Sequence, residues 1–162
     1  MQSKFIATAA TVFMALIVAC GDTTPTAATA SPSPASSPEA SAETIKVATD
    51  AKLGTILVDG EGKTVYLFGK DTGTASTCYT DCAKFWPPVV TKGAPIAGAG
   101  AQASLLGTTQ RTDGTTEVTY AGHPLYYFLN DKAAGDTKGQ GVNGFGALWW
   151  VMNPSGAAVE KK

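Results

Sequence analysis

The sequence predicts a mostly β fold: a small single domain of two pseudo-symmetric antiparallel β repeats with one short helix near 78–85, preceded by a signal peptide and a disordered tether. Short runs of β-branched and aromatic residues, bounded by glycine-rich turns, predict the strands. A motif that returns after 60 residues predicts the two repeats. Its two copies comprise Tyr66, Phe68 and Asp71, and Tyr126, Phe128 and Asp131.

Residues 1–19 have the pattern of a lipoprotein signal peptide. Lys4 gives a positive start, and residues 5–19 form an uncharged, mainly apolar run that is short for a transmembrane helix. The run ends in Ile-Val-Ala followed by Cys20, which resembles a bacterial lipobox. Acyl chains such as palmitate on Cys20 would contribute about 0.8 kcal/mol per buried CH₂. We therefore expect the lipid bilayer, of the cell membrane or an outer membrane, to be one partner of this chain.

Residues 20–43 comprise this cysteine and a tether of Thr, Ala, Ser and Pro. The tether has no large apolar side chain, so burial cannot offset the entropy that ordering would cost. Its prolines favour extended conformations. We expect a disordered segment that separates the folded domain from the membrane.

Repeat one spans about 45–91 and opens with an alternating strand at 45–49. A second pattern predicts an antiparallel hairpin over 55–68, with a glycine-rich turn near its middle. Alternate side chains of its second strand are apolar on both faces, so this strand should be covered on both sides. A short helix is expected at 78–85, because Pro87 cannot continue one.

Repeat two spans about 104–156, in a domain predicted to run over 44–158, and a loop at 92–103 joins the repeats. We predict strands at 104–111, 117–120, 124–129 and 148–152. The Asp-Gly pair at 113–114 is typical of the first turn. Residues 130–146 are rich in glycine and predict a long loop. Trp149 and Trp150 are adjacent on a strand and must point to opposite sides, so one of them could present a surface for carbohydrate.

Several segments of the chain resemble those of a known family. The segments TVYLFGKD, STCYTDCAKFWPPVV, VTYAGHPLYYFLND and GFGALWWVMNPSG are similar to those of bacterial secreted-repeat lipoproteins, whose signature is Tyr-x-aromatic-x-x-Asp. The resemblance covers about residues 53–156. It implies a cell-envelope lipoprotein whose function is unknown, and it carries over no catalytic residues.

The two cysteines of the domain, Cys78 and Cys82, leave three alternatives open. In an exported protein they most simply form a disulfide, and their spacing brings the Cα atoms within reach on a helical turn. Together with His123, the one histidine in the chain, they could instead bind copper as soft ligands. Reversible dithiol exchange is the third alternative, although no Cys-x-x-Cys motif supports it.

Enzymatic chemistry has no positive signal. The chain contains neither a Gly-x-Ser-x-Gly elbow nor a His-Glu-x-x-His motif. The Gly-x-Gly-x-x-Gly match at 139–144 follows no βα turn, so we interpret it as loop. Asp71 and Asp131 are expected to fix strand-end turns by accepting backbone N–H groups.

A net charge of −1 gives no footprint for nucleic acid. We therefore expect a non-enzymatic binding or scaffolding module whose partner is an envelope protein or the cell wall, with no cofactor. The alternative is a copper-binding or thiol redox protein that uses Cys78 and Cys82.

Overall fold

The structure, a computed structural model, describes residues 42–161. The predicted signal peptide, Cys20 and nearly all of the tether lie outside the described residues. Within the described part the fold is mostly β, as predicted. The elements are β1 (Thr44–Asp50), β2 (Gly54–Asp59), β3 (Tyr66–Phe68), α1 (Asp81–Phe85), β4 (Ile96–Ala97), a 3₁₀ helix (Ala103–Leu105), β5 (Leu106–Gln110), β6 (Thr116–Tyr120), β7 (His123–Pro124), β8 (Asn143–Gly144) and β9 (Ala147–Val151). The strands form three three-stranded sheets, ordered β2-β1-β4, β3-β9-β8 and β5-β6-β7.

The hairpin predicted over 55–68 is present only around its turn. Val58 and Thr64 form an isolated antiparallel bridge, and the Asp59 N–H donates to the Lys63 carbonyl over 2.9 Å. Beyond this point the strands diverge, because β2 pairs along its length with β1 and β3 pairs with β9. The predicted turn is confirmed, whereas the predicted pairing of the two strands along their length is wrong.

Strand β3 is buried on both faces, as its pattern predicts. Tyr66 and Phe68 belong to one apolar cluster of the core, and Leu67 belongs to the other together with the preceding Val65. Every residue of β3 is at most 6% exposed. The two clusters therefore lie on opposite sides of this strand.

The second repeat begins with the β5–β6 hairpin, which confirms the Asp-Gly turn. The Arg111 N–H donates to the Thr115 carbonyl over 2.9 Å, and Gly114 has a φ of 85° that suits glycine in such a turn. Ala121 and Gly122, with φ values of 50° and 82°, then form a two-residue turn into β7. Each repeat thus opens with an antiparallel pair of consecutive strands, β1–β2 in the first and β5–β6 in the second.

Several predicted boundaries differ from the structure. The helix begins at Asp81, since Thr80 has a φ of 52° that a helix cannot contain. The predicted strand at 124–129 is reduced to β7 and two isolated bridges, both at Tyr126. The predicted loops at 92–103 and 130–146 contribute two short strands. Strand β4 pairs with the distant β1, whereas β8 forms a hairpin with the adjacent β9.

The expectation that Trp149 or Trp150 presents a carbohydrate surface is wrong. Trp149 is fully buried and Trp150 is only 8% exposed. The two side chains do point to opposite sides of β9, but an apolar cluster covers each side. Within residues 42–161 no helix has the length and apolar character required to cross a membrane.

Candidate functional site

The two copies of the motif meet at the centre of the domain, where Tyr66 of β3 lies antiparallel to Tyr126. The Tyr66 N–H donates to the Tyr126 carbonyl over 2.8 Å, and the Tyr126 N–H donates to the Tyr66 carbonyl over 2.9 Å. Both residues are fully buried. Because the two residues exchange a reciprocal pair of backbone hydrogen bonds, the backbone here has approximate two-fold symmetry.

The tyrosine side chains extend this symmetry across the two repeats. The Tyr66 hydroxyl donates to Asp131 Oδ2 over 2.5 Å, and the Tyr126 hydroxyl donates to Asp71 Oδ2 over 2.5 Å. Short O–H···O⁻ bonds to a carboxylate are roughly twice as strong as neutral hydrogen bonds. Each repeat is therefore fastened to the other by the tyrosine of its own motif. We call these four residues the Tyr–Asp lock.

The remaining oxygen of each aspartate organises the loop that follows its own strand. Asp71 Oδ1 accepts the backbone N–H and the hydroxyl of Thr77, over 2.8 and 2.6 Å. Asp131 Oδ1 accepts the Lys138 N–H over 2.9 Å. Each carboxylate thus binds a single backbone N–H, because its other oxygen accepts from a tyrosine 55 or 65 residues away.

Four aromatic rings form a continuous stack beside the lock. The Trp86 and Trp149 rings lie 3.9 Å apart with an interplanar angle of 2°. Phe68 stacks on the outer side of Trp149 at 4.0 Å, and Phe128 stacks on Trp86 at 4.3 Å. Each phenylalanine thus stacks on the tryptophan of the other repeat. The repeats are joined by ring packing as well as by hydrogen bonds.

Burial raises the pKa of Tyr66 strongly, and the hydrogen bond to Asp131 acts in the same direction. Burial likewise raises the pKa of Tyr126, followed by the negative charge of Glu117 and the hydrogen bond to Asp71. Both hydroxyls therefore remain protonated donors across the physiological range. A phenol in this state can stabilise an anion, but it cannot serve as a general base.

The surroundings of the two halves of the Tyr–Asp lock differ, because a buried arginine, Arg111, bonds Ser76, whose hydroxyl also bonds the Tyr126 hydroxyl. The Arg111 side chain is inaccessible to solvent, and its guanidinium lies 4.4 Å from the centre of the Tyr79 ring. A buried cation without partners would be very costly, and here every branch of the guanidinium is bonded. Its acceptors are Glu117 Oε2 at 2.8 Å, Ser76 Oγ at 2.7 Å, the Cys78 carbonyl at 2.8 Å and Asp113 Oδ2 at 3.0 Å.

Glu117 is the least satisfied member of this cluster. Its side chain is fully buried, and Oε1 has no hydrogen-bond partner among the described residues. Burial raises the pKa of Glu117 to about 7, although the hydrogen bond and charge of Arg111 oppose that rise. Sequence reasoning missed Ser76, Arg111 and Glu117. The available signal was the pair of opposite charges, Arg111 and Glu117, on the two sides of a turn whose flanking strands are otherwise uncharged.

The structure places the Cys78 and Cys82 sulfur atoms at disulfide-bonding distance, with the Cα atoms 5.2 Å apart. Cys78 is fully buried and Cys82 nearly so. His123 begins β7, and the structure does not gather it with the cysteines. In residues 42–161 no group of three or more His, Cys, Asp or Glu side chains is arranged to hold a metal ion. The pair instead fixes the segment before Trp86, whose N–H donates to the Cys82 carbonyl.

Gly139, the first glycine of the Gly-x-Gly-x-x-Gly match, has a packing role. A Cβ on this residue would lie 2.8 Å from the Tyr66 ring and 2.9 Å from the Trp86 ring. Its N–H also donates to the Tyr66 hydroxyl over 3.2 Å. The glycine is therefore required because the loop passes directly over the lock and the stack.

An open cleft of about 540 Å³ lies on the surface and has a mainly acidic lining. Glu43, Asp59 and Glu61 line it, with Lys63 as a basic neighbour. Asp59 accepts the N–H groups of Glu61 and Lys63 at one oxygen and the Tyr127 hydroxyl at the other. Burial, then the charge of Asp59, raises the pKa of Glu43. The negative charge of the cleft disfavours anions. Both oxygens of Asp59 already accept hydrogen bonds within the domain, so this carboxylate is occupied in holding the turn.

A family model described as a secreted repeat of unknown function matches residues 47–90 and 107–153. The two matches together cover more than half of the sequence, and each contains one copy of the motif. No curated protein and no solved structure matches the chain.

Proposed function

The chain belongs to the family of secreted repeats of unknown function, and from this premise we propose that it is a membrane-anchored lipoprotein acting as a non-enzymatic binding or scaffolding module of the cell envelope. Family membership indicates an extracytoplasmic protein. The anchor is the acylated Cys20, and the folded domain is the part that meets a partner outside the cytoplasmic membrane.

One observation carries the non-enzymatic part of the proposal: both copies of the motif point inward and bind each other. Tyr66 and Tyr126 are fully buried, and each donates to an aspartate of the other repeat. An enzyme needs reacting groups that substrate can reach. Here the most distinctive side chains of the chain hold its two halves together, which suits a rigid module.

The anchor is tested by producing the full-length chain in a bacterial host and measuring the mass of the N-terminal peptide. We expect a mature protein that begins at Cys20 and carries acyl chains, in the membrane fraction. The Cys20→Ser variant should lack them, and Cys82→Ser should serve as the control that retains them. A wild-type chain released without acyl chains would refute the anchor.

The redox alternative is tested by native mass spectrometry of the exported wild-type protein, purified without chelator. A mass two hydrogens below that of the dithiol, with nothing bound, supports the scaffold. A reduced protein that carries copper, and loses it in Cys82→Ser, would refute the scaffold and support a redox protein. No specific contact in residues 42–161 favours that outcome.

A further inference from the structure

Three large apolar side chains form an exposed patch on the described domain. Phe85 is 48% exposed, Leu129 is 44% exposed and Phe145 is 42% exposed. The rings of Phe85 and Phe145 lie 5.9 Å apart, and the Leu129 N–H donates to the Phe85 carbonyl over 2.9 Å. Clustered, exposed aromatic and aliphatic side chains mark contact surfaces more often than scattered ones do. We call these three residues the apolar patch.

The patch is rigidly mounted on the aromatic stack. Phe85 directly precedes Trp86, and Leu129 directly follows Phe128, so in each case one neighbour points into the core and the other outward. Phe145 lies at the tip of the β8–β9 hairpin, which is fixed to the stack by a 3.1 Å bond from the Trp149 indole to the Gly144 carbonyl. The three side chains are therefore held outward by ordered backbone.

Phe145 occupies a backbone conformation that is unfavourable for it. Its φ is 57°, in the left-handed region that a bulky residue rarely adopts, and Gly146 follows with a φ of 96°. Glycine or asparagine would suit this turn better. Burial does not compensate, because the ring keeps nearly half of its surface exposed. A strained residue that gains little inside the fold points to a role outside it.

The patch also lies close to the point where the tether joins the domain. Leu129 and Ala42, the first described residue, line the same cleft. Between Cys20 and Ala42 are residues 21–41, which span at most about 75 Å when fully extended. A short tether gives the domain an effective concentration in the millimolar range at the surface that carries its anchor. Weak apolar contacts are then sufficient for docking.

We propose that the apolar patch inserts into the bilayer surface to which Cys20 anchors the chain, with Phe145 as the deepest residue. This inference rests on the proposed lipid anchor. The hairpin tip, residues 143–147, carries no charge, so nothing there opposes entry into the interfacial region. Docking would hold the domain in one orientation on the membrane and leave its opposite end free for partners.

The experiment uses the full-length protein, matured in the host, purified from its membranes and reconstituted in phosphatidylcholine vesicles with brominated acyl chains. A neutral lipid is chosen because Glu43, Asp59 and Glu61 in the adjacent cleft would oppose an anionic surface. The Phe145→Trp variant is compared with Ala51→Trp. Ala51 is exposed and directly follows the last residue of β1. The first residue of that strand, Thr44, lines the cleft, so Ala51 lies at the end of the strand that is farther from the cleft. The emission of wild-type protein, from its three buried tryptophans, is subtracted from both.

We expect the emission of Phe145→Trp to shift to shorter wavelength and to be quenched by bromine placed about 5–10 Å below the headgroup boundary, while that of Ala51→Trp is unchanged. Equal behaviour of the two variants would overturn the inference. A shift at position 145 that depends on protein concentration and not on bromine would also overturn it, since a second copy of the chain would then cover the patch.

The mass of the same sample separates this inference from the hypothesis of a lipid anchor at Cys20. Acylated protein without quenching refutes only this inference, whereas unacylated protein free of vesicles refutes the anchor on which it rests.

Discussion

Replacing Tyr126 by Phe should destabilise the domain about twice as much as replacing Tyr66 by Phe. The two substitutions are chemically identical, and each removes the hydroxyl of one half of the Tyr–Asp lock. They differ in surroundings: Asp71, the acceptor of Tyr126, is only 4% exposed, whereas Asp131 is partly accessible to solvent. Water can therefore replace the lost donor at Asp131 but not at Asp71.

The magnitudes follow from the bonds that are lost. A hydrogen bond to a charged group contributes about 1.5–3 kcal/mol, and a buried acceptor left unpaired adds to the loss. The Tyr126 hydroxyl also bonds Ser76 Oγ over 2.7 Å. We expect Tyr126→Phe to lower the free energy of unfolding by about 3 kcal/mol. For Tyr66→Phe we expect about 1.5 kcal/mol, which includes the lost bond from the Gly139 N–H.

The assay is urea unfolding followed by the fluorescence of the stacked tryptophans, at constant pH and with the slope compared between variants. Tyr79→Phe is the matched control, because its hydroxyl accepts only a 3.3 Å bond at an exposed position; it should change stability by less than about 0.5 kcal/mol. A double-mutant cycle of Tyr126→Phe with Asp71→Asn should give a coupling energy of about 1–2 kcal/mol. Equal losses for the two lock tyrosines, or a larger loss for Tyr66→Phe, would refute the reasoning.

Three further outcomes are expected. The pKa of Glu117 is raised to about 7 from 4.5 in the unfolded chain, which gives stability that is present below pH 4.5 and lost as the pH rises through 7. The free energy of unfolding of Glu117→Gln should therefore rise relative to that of wild type over this range, by at most about 3 kcal/mol. Unfolding measured as a function of pH tests this, and a difference that does not depend on pH would contradict it. Cys82→Ser should lower the free energy of unfolding by about 2 kcal/mol, as expected for so short a loop, and a neutral effect under oxidising conditions would argue against a structural disulfide. Gly139→Ala should cost about 1–3 kcal/mol through overpacking on Tyr66 and Trp86, whereas Gly73→Ala, where a Cβ meets nothing within 4 Å, should be nearly neutral in thermal unfolding.

Local patterns were a reliable guide where the structure depends on near neighbours. The Asp-Gly turn between β5 and β6 follows from the φ values that each position requires. The burial of β3 on both faces follows from its apolar alternation. The family resemblance, based on the spacing of the repeated motif, is likewise confirmed by the two family matches.

The same patterns failed where a strand chooses a distant partner. Residues 55–68 contain a good turn, yet β2 pairs with β1 and β3 pairs with β9 of the second repeat. Trp150 was a candidate for the surface, and a second apolar cluster covers it. Arg111 and Glu117 were overlooked, because a buried ion pair has the same composition as a solvated one.

The repeated β architecture, the turns and the inward alternation of the motif are all predictable from the amino-acid sequence, because they depend on backbone propensity and on the period of the side chains. The binding of each motif tyrosine to the aspartate of the opposite repeat, in contrast, is visible only in the folded domain. Partners 55 and 65 residues apart are chosen by the packing of two complete halves. The spacing of the motif along the chain is the same whether its tyrosine binds the aspartate of its own repeat or that of the other repeat. The two arrangements therefore differ only in the three-dimensional structure.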